Sequence, residues 1–219
     1  MSNTGISMQR LPLVVEIPNP PNSSQAFQAF QDRHFSFFLD SGMDPQRLGR
    51  YSFMGSEPFL IMRSRARDIT LISPQSEKAV SGNPFEVLGE LLQEYKLTSI
   101  PTALPFLGGV VGYFSYDLGH FIEKLPSTAV DDLQLPECYL GFYDAVAIFD
   151  HLEGRAYVAS TGFPEKGSAW QDRAKARLEE LKQRVAQAPH LEEAKASYSG
   201  QFNSKQVNLH SNFTHERYL

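Results

Sequence analysis

Segments with the composition of β-strands follow one another along most of this chain, and only a few helix-like segments interrupt them. The strand-like segments are 34–40, 49–54, 59–63, 68–72, 110–116, 142–150 and 156–160. Segment 34–40 alternates apolar side chains on one face and places Phe38 on the other, which is typical of a largely buried strand. Consecutive strands are typical of antiparallel sheets rather than of a doubly wound sheet. The sequence therefore predicts an α+β fold, with antiparallel β-sheets and flanking helices.

The helix signals are clearest at 84–95. Asn83 is a favourable N-cap, Pro84 suits the first helical position, and Glu86 stands where a capping box requires it. Apolar residues then recur at helical spacing, namely Phe85, Leu88, Leu91, Leu92 and Tyr95. One face of this helix is therefore expected to be buried.

Two further helices are predicted. The first covers 25–32, with Ser23 or Ser24 as its N-cap. The second begins at a capping box formed by Ser168 and Gln171. Its apolar stripe consists of Trp170, Ala174, Leu178, Leu181 and Val185.

Composition excludes several classes of protein. The net charge of −5 argues against a nucleic-acid binder, which needs a basic face. No stretch reaches the roughly 18 apolar residues of a membrane span, and the polar N-terminus is unlike a signal peptide. The single cysteine, Cys138, excludes an intrachain disulfide. We therefore expect a cytoplasmic protein with neither nucleic acid nor membrane as a partner.

The composition changes near residue 190. Residues 1–189 carry the strand and helix signals down to Pro189 and are predicted to form one α+β domain. Residues 190–210 are mostly charged and polar, so a linker is expected there. Residues 211–219 look like the capped start of a helix with nothing after it. This last segment is therefore expected to be the truncated start of a further domain.

The glycine-rich segment 105–118 does not match a nucleotide-binding loop. Its glycines lead into a strand, whereas the dinucleotide fingerprint lies between a strand and a helix. No Lys-Ser or Lys-Thr pair follows them, so a phosphate loop is not indicated either. Glycines in this position allow close backbone approach or a bulge.

The acids and bases of the sequence do not form a catalytic pattern. Asp117 and His120 are three residues apart near a strand end and need not face each other. No serine stands in a nucleophile-elbow context, and no histidine spacing is typical of a metal site. We therefore predict no catalytic residue and no metal ligand in this chain.

A binding site is the stronger prediction. Ser41 follows a hydrophobic strand and precedes a glycine turn, and Arg50, Tyr51 and Ser52 lie shortly afterwards on the next strand. If the two strands are neighbours, Ser41, Tyr51 and Ser52 line one pocket suited to a small amphipathic ligand. The alternative is that Tyr51 and Phe53 belong to the core and that Arg50 pairs with an acid.

Taken together, three segments resemble a known enzyme family. Segment 38–41 reads Phe-Leu-Asp-Ser, and segment 49–55 reads Gly-Arg-Tyr-Ser-Phe-Met-Gly. Segment 105–118 contains Gly-Gly-Val-Val-Gly-Tyr followed by Tyr-Asp-Leu. Their order and spacing are similar to the N-terminal half of component I of aminodeoxychorismate synthase and of anthranilate synthase. The resemblance covers nearly the whole chain but only about half of the family's length.

The resemblance implies an enzyme that aminates chorismate, in one branch to 4-amino-4-deoxychorismate for folate synthesis. It implies that a glutamine amidotransferase subunit supplies ammonia and that acids of the C-terminal half hold Mg²⁺ and chorismate. It also implies that 211–219 opens the chorismate-binding domain. We therefore expect this chain to hold no cofactor of its own and to be inactive alone.

The resemblance further implies a tryptophan or effector site at Ser41, Arg50, Tyr51 and Ser52. Asp40 stands where anthranilate synthases carry glutamate, which looks like the aminodeoxychorismate synthase branch. Weak or no tryptophan binding is expected from this chain alone, because the family's C-terminal half completes the pocket. The alternatives are the anthranilate synthase branch, a stand-alone domain that binds an aromatic amino acid, and a docking module for the amidotransferase.

Overall fold

The computed structural model describes residues 10–41, 44–97, 102–126 and 130–188. Its strands form two five-stranded sheets in which every paired strand is antiparallel, with helices packed against them. The predicted α+β class is therefore confirmed. The predicted linker at 190–210 and the predicted helix start at 211–219 lie outside the described residues.

The elements are named in chain order. The strands are β1 (Leu13–Ile17), β2 (Phe37–Leu39), β3 (Tyr51–Gly55), β4 (Leu60–Arg65), β5 (Asp68–Ser73), β6 (Ser76–Ser81), β7 (Gly109–Phe114), β8 (Cys138–Tyr143), β9 (Ala145–Asp150) and β10 (Arg155–Ser160). The α-helices are α1 (Ser23–Gln28), α2 (Pro84–Glu94) and α3 (Ala169–Ala186), and a 3₁₀ helix covers Tyr116–Phe121. None of the helices in the described part of the chain is long and apolar enough to cross a membrane.

The first sheet has the strand order β1-β10-β9-β3-β2 and the second has the order β6-β5-β4-β8-β7. Helix α3 packs on one face of the first sheet through the predicted apolar stripe, whose five members are all buried. Leu91 of α2 joins the core of the second sheet. The other face of the first sheet carries a third apolar cluster around Val146 and Ile148. Strand β9 is thus covered on both faces, and its ends lie at the margins of the core.

The chain changes sheets at Asp144, between β8 and β9. The sequence predicts one strand over 142–150, and the structure contradicts this because Tyr143 belongs to the second sheet and Ala145 to the first. Residues 140–150 are all buried, and the single buried Asp144 is the only polar break at the corner, without the glycine or proline that usually marks a turn. A strand buried on both faces lacks the alternation that would reveal such a corner.

Of the three predicted helix caps, the one at α2 is confirmed and the two at α1 and α3 are wrong. At α2 the Asn83 side chain accepts a hydrogen bond from the Phe85 amide, as predicted. At α1 the N-cap is Asn22, whose side chain forms a reciprocal capping box with Gln25, so the predicted serine caps are wrong. The predicted capping box at Ser168 is also wrong, because Ser168 is in helical conformation and forms no side-chain cap.

Candidate ligand-binding site at the end of strand β9

The predicted site residues lie on two neighbouring strands, as the pocket hypothesis requires. Ser41 follows β2, Arg50 precedes β3, and the two strands pair with Leu39 opposite Phe53. Tyr51 and Ser52 are adjacent in β3, so their side chains point to opposite faces of the sheet. The structure therefore brings Ser41 and Ser52 together and separates Tyr51 from them.

The buried Ser52 hydroxyl is the centre of a hydrogen-bond cluster whose other members reach the surface. Ser52 is fully buried, and its Oγ lies 2.7 Å from Asp40 Oδ1, 2.7 Å from His151 Nε2 and 3.2 Å from the backbone nitrogen of Ser41. An ionised carboxylate only accepts and a backbone amide only donates. The hydroxyl therefore donates its proton to Asp40 and accepts from Ser41, and His151 donates Nε2–H to its remaining lone pair.

An open cavity of about 650 Å³ lies beside this cluster. Its lining residues are mostly small and polar, namely Asn22, Ser23, Ser24, Asp40, Ser41, Leu48, Gly49 and His151. Four parts of the fold meet there, namely the start of α1, the end of β2, the segment before β3 and the hairpin loop after β9. Ser52 does not line the cavity itself. It forms hydrogen bonds with three residues that do, namely Asp40, Ser41 and His151.

Tyr51 takes the packing role that the sequence left as the alternative. Its ring stacks on Phe53 with centroids 6.1 Å apart and packs against the apolar cluster around Val146 and Ile148. Burial, together with the nearby Asp150 carboxylate, raises the pKa of the Tyr51 hydroxyl. The ring lies on the face of β3 opposite Ser52, so it does not line the cavity.

Arg50 also follows the alternative, because it pairs with Asp150 at the end of β9. Its Nε and Nη2 atoms donate to the carboxylate over 2.7–3.2 Å, and its guanidinium lies 4.9 Å from the centroid of the Tyr51 ring. Asp150 is only 4% exposed and also accepts the backbone N–H groups of Leu152 and Glu153. Burial alone would raise the pKa of Asp150, but hydrogen bonds from Arg50 and the loop outweigh it and hold this pKa below its usual value. Arg50 therefore fixes the hairpin loop that carries His151.

The Ser52, His151 and Asp40 cluster does not have the geometry of a nucleophilic triad. A nucleophilic serine gives its proton to histidine, and the acid contacts the other ring nitrogen. Here the serine proton is directed to the acid, and the histidine donates to the serine. The arrangement holds the carboxylate of Asp40 and the imidazole of His151 in place beside the cavity.

The described residues hold no cluster of metal-binding side chains. Mg²⁺ is held by carboxylate oxygens in octahedral geometry. Within 10–41, 44–97, 102–126 and 130–188, no group of three or more histidine, cysteine or acidic residues is placed to hold a metal. No step is therefore assigned to a metal in this part of the chain.

Asp40 and His151 were missing from the predicted site. His151 is about one hundred residues from Ser52, and it reaches the cavity because β9 pairs with β3 and its backbone N–H donates to the Arg50 carbonyl. The adjacent Asp150 and the hairpin loop were visible in the sequence, but the pairing of β9 with β3 was not. Asp40 lies next to Ser41 in the motif, and this position could have identified it as a site residue from the sequence.

The chain belongs to a recognisable class of proteins. The family model described as chorismate binding enzyme matches residues 31–219, which is most of the chain. This chain therefore belongs to the chorismate-binding enzyme family. The match begins before β2 and includes both sheets except β1, together with the Asp40, Ser52 and His151 cluster.

Two curated relatives show which branches of the family are similar. The chain is 36% identical over 134 residues to anthranilate synthase component 1 of Acetivibrio thermocellus, covering 60% of this chain and 27% of that protein. It is 30% identical over 142 residues to aminodeoxychorismate synthase component 1 of Salmonella typhimurium, covering 64% of this chain and 31% of that protein. The chain thus spans about a third or less of the length of these relatives.

A solved structure is also similar. Anthranilate synthase component I from Streptococcus pneumoniae matches with a TM-score of 0.48 and 20% sequence identity. The match covers 61% of this chain and 30% of that one.

Proposed function

We propose that this chain is part of an aminodeoxychorismate synthase component I, which aminates chorismate to 4-amino-4-deoxychorismate for folate synthesis. The observation that carries the proposal is the family match over residues 31–219, together with a relative of that name at 30% identity. The described residues would supply the scaffold and an effector pocket. Acids elsewhere in the parent enzyme would hold chorismate and Mg²⁺, and a glutamine amidotransferase would supply ammonia.

Inactivity of the 219-residue chain alone is part of the proposal. It is supported by the share of the parent enzyme that the chain spans, since the matches cover 27% and 31% of the two relatives. Purified chain is incubated with chorismate, ammonia and magnesium, and the products are separated by chromatography. We expect no amination above the protein-free background, and turnover that rises with protein concentration would contradict the proposal.

Anthranilate synthase is the second candidate, favoured by the 36% identity to the Acetivibrio thermocellus relative. The aminodeoxychorismate branch is supported by Asp40, which replaces the glutamate of the anthranilate synthase motif. The two enzymes form different products from the same substrates. The enzyme encoded by the complete gene is incubated with chorismate and ammonia, and its product is analysed. Anthranilate as the product would show that the chain belongs to the anthranilate synthase branch.

Tryptophan is the proposed effector of the cavity beside Ser41. The proposal is supported by the hydroxyl, carboxylate and imidazole groups around a space that is large enough for an amino acid. Because the cavity is open to solvent on one side, we expect binding no tighter than about 1 mM. Calorimetry on the purified chain tests this, and binding tighter by several orders of magnitude would support a stand-alone sensor instead.

The amidotransferase partner is proposed from the component 1 names of the relatives. Co-purification of the chain with the amidotransferase from the same organism tests whether this part of component I contributes to the contact. A stable complex would support a docking role for the chain. Recovery of the chain alone would place the contact elsewhere in the parent enzyme.

A further inference from the structure

An exposed apolar surface lies at one edge of the second sheet. Strand β7 is the last strand of that sheet, and the 3₁₀ helix and the loop before β8 follow it along the chain. This stretch contains seven of the fifteen large apolar residues that are exposed in the described part of the chain, namely Tyr113, Phe114, Tyr116, Ile122, Val130, Leu133 and Leu135. Single exposed apolar residues are ordinary, whereas a concentration of them marks an interaction surface.

Four of these side chains line one groove. The groove has a volume of about 430 Å³ and lies between the end of β7, the 3₁₀ helix and the loop before β8. Its large apolar lining residues are Tyr113, Val130, Leu133 and Leu135. Val130 is 87% exposed and Leu133 is 72% exposed, so the described residues leave the groove uncovered. Covering such side chains with another apolar surface is favourable, because it removes apolar area from water.

The loop before β8 is fixed against β7. The Tyr113 hydroxyl donates a hydrogen bond to the Pro136 carbonyl over 3.1 Å, and the Ser115 amide donates to the Glu137 carbonyl over 2.7 Å. The Tyr113 ring also stacks on Tyr139 of β8, with centroids 6.3 Å apart. The walls of the groove are therefore held in place before anything binds, which lowers the entropy cost of binding.

The groove is also acidic. Its acidic lining residues are Asp117, Asp131, Asp132 and Glu137, and no lysine or arginine is among the described residues that line it. Asp131 pairs with Arg65, but the carboxylates of Asp117 and Asp132 have no hydrogen-bond or ion-pair partner among the described residues. Acids around an apolar groove repel nucleic acids, anionic lipids and a second copy of this chain, whose net charge is −5. They attract a protein surface that carries lysine and arginine.

We propose that this groove docks a basic amphipathic segment of a second protein. Apolar side chains of the segment would lie in the groove, and its lysine or arginine residues would lie against Asp117 and Asp132. The apolar contacts supply most of the binding energy, and the charges supply orientation and partner choice. An amphipathic helix laid into an apolar groove is a common form of such recognition. The groove belongs to the second sheet and the effector cavity to the first, so the inference goes beyond the proposed function.

Three synthetic peptides of about 14 residues test the chemistry of the occupant. One places leucine at helical spacing with lysine between, the second replaces every lysine by glutamate, and the third has the composition of the first in an order that forms no apolar face. Each is titrated into the isotope-labelled 219-residue chain, and the amide shifts of 113–123 and 130–137 are followed by NMR. We expect the amphipathic lysine peptide to bind at least about tenfold more tightly than either control, and its affinity to fall as salt is raised.

Substitutions locate the contact. Leu133→Ser and Asp132→Lys change exposed side chains, so the fold should persist. We expect Leu133→Ser to weaken binding of the amphipathic lysine peptide about tenfold, and Asp132→Lys to weaken it about fivefold. The matched controls are Leu152→Ser and Asp32→Lys, which change exposed residues elsewhere and should bind like the native chain.

The same titration is carried out on the complete parent enzyme. Binding there would support a second protein as the occupant, whereas binding to the 219-residue chain alone would show that the rest of the parent enzyme covers the groove, and would contradict the inference. Equal binding of the glutamate peptide, or native binding by Leu133→Ser and Asp132→Lys, would also contradict it. A dimer of the chain in sedimentation that Leu133→Ser abolishes would make a second copy the occupant instead. None of these outcomes depends on chorismate amination or on tryptophan, so the proposed function is tested separately.

Discussion

A carboxylate lies near each end of strand β9, and the two carboxylates differ in burial and in their charged neighbours. At its start, Asp144 is fully buried, with Arg173 Nε at 2.9 Å and Arg177 Nε at 3.4 Å, both from α3. Beyond its other end, Asp40 and His151 face an open cavity, and Asp40 has no arginine or lysine beside it among the described residues that line the cavity. One carboxylate is enclosed by cations, and the other is held only through a serine.

This difference separates a structural cluster from the cluster that we propose binds the effector. Around Asp144 the charges continue through α3, where Arg177 and Arg184 also contact Glu57 of the loop after β3. Each charge there has a partner within the protein, which leaves little for a ligand to gain. Among the described residues that line the open cavity, none is a lysine or arginine, so a ligand can still gain polar contacts with Asp40 there.

The largest expected effect is from Asp144→Ala. Removing this buried carboxylate leaves two arginines without their partner at the corner between the sheets, so we expect the free energy of unfolding to fall by about 3 kcal/mol. Urea denaturation followed by tryptophan fluorescence measures it, since Trp170 lies in the adjoining helix. The matched control is Asp40→Ala, which should cost only about 1 kcal/mol because Asp40 is exposed and loses one hydrogen bond, from Ser52. Equal losses in the two variants would contradict the comparison.

Asp150→Asn is expected to have the next largest effect. The change removes the charge that Arg50 pairs with, and we expect a loss of about 1–2 kcal/mol at pH 7 after allowing for the exposure of Arg50. The pKa of Asp150 is lowered in the folded state, so its contribution is present above the usual carboxyl pKa of about 4 and lost as pH falls through the folded value. Urea denaturation at pH 7 and at about pH 3 should show the difference between native and variant chains shrinking in acid. A difference that grows in acid would contradict the ion pair.

Asp40→Asn should affect binding without affecting folding. It keeps the shape of the side chain but removes the charge, so we expect tryptophan affinity to fall about tenfold while the free energy of unfolding changes by less than about 0.5 kcal/mol. NMR titration and urea denaturation measure the two quantities. Unchanged affinity would mean that the open end of β9 does not bind the effector through this carboxylate.

Tyr51→Phe is expected to have the smallest effect. The ring keeps its contact with Phe53, and only the hydroxyl is lost, so the change in unfolding free energy should stay below about 1 kcal/mol. Tryptophan affinity should remain unchanged because Tyr51 lies on the other face of β3 from the cavity. A clear loss of affinity in the folded variant would place Tyr51 in the site after all, as the sequence predicts.

Local signals in the sequence located much of the fold. Helix α2 was predictable because Asn83 and Pro84 mark its start and the apolar stripe follows at once. The corner at Asp144 was not, because burial on both sides of it removes the alternation that marks the ends of strands. Strand β6 was missed for the opposite reason, since most of its residues are exposed and it has no apolar face to reveal it.

The site was predictable only in part, because its residues meet through long-range strand pairing. Ser41 and Ser52 were identified from a motif whose members lie on adjacent strands. His151 joins them only because β9 pairs with β3, and no periodicity in the chain encodes that neighbour. Tyr51 was placed in the pocket together with Ser52, although adjacent strand residues point to opposite faces.

A crystal structure of the 219-residue chain grown at saturating L-tryptophan tests the central claim most directly. We expect the ligand in the cavity beyond β9, in contact with Asp40 and Ser41, and Asp144 still enclosed by its arginines. Tryptophan bound elsewhere, or an empty cavity at saturating ligand, would contradict the assignment of the open end of β9 as the binding end.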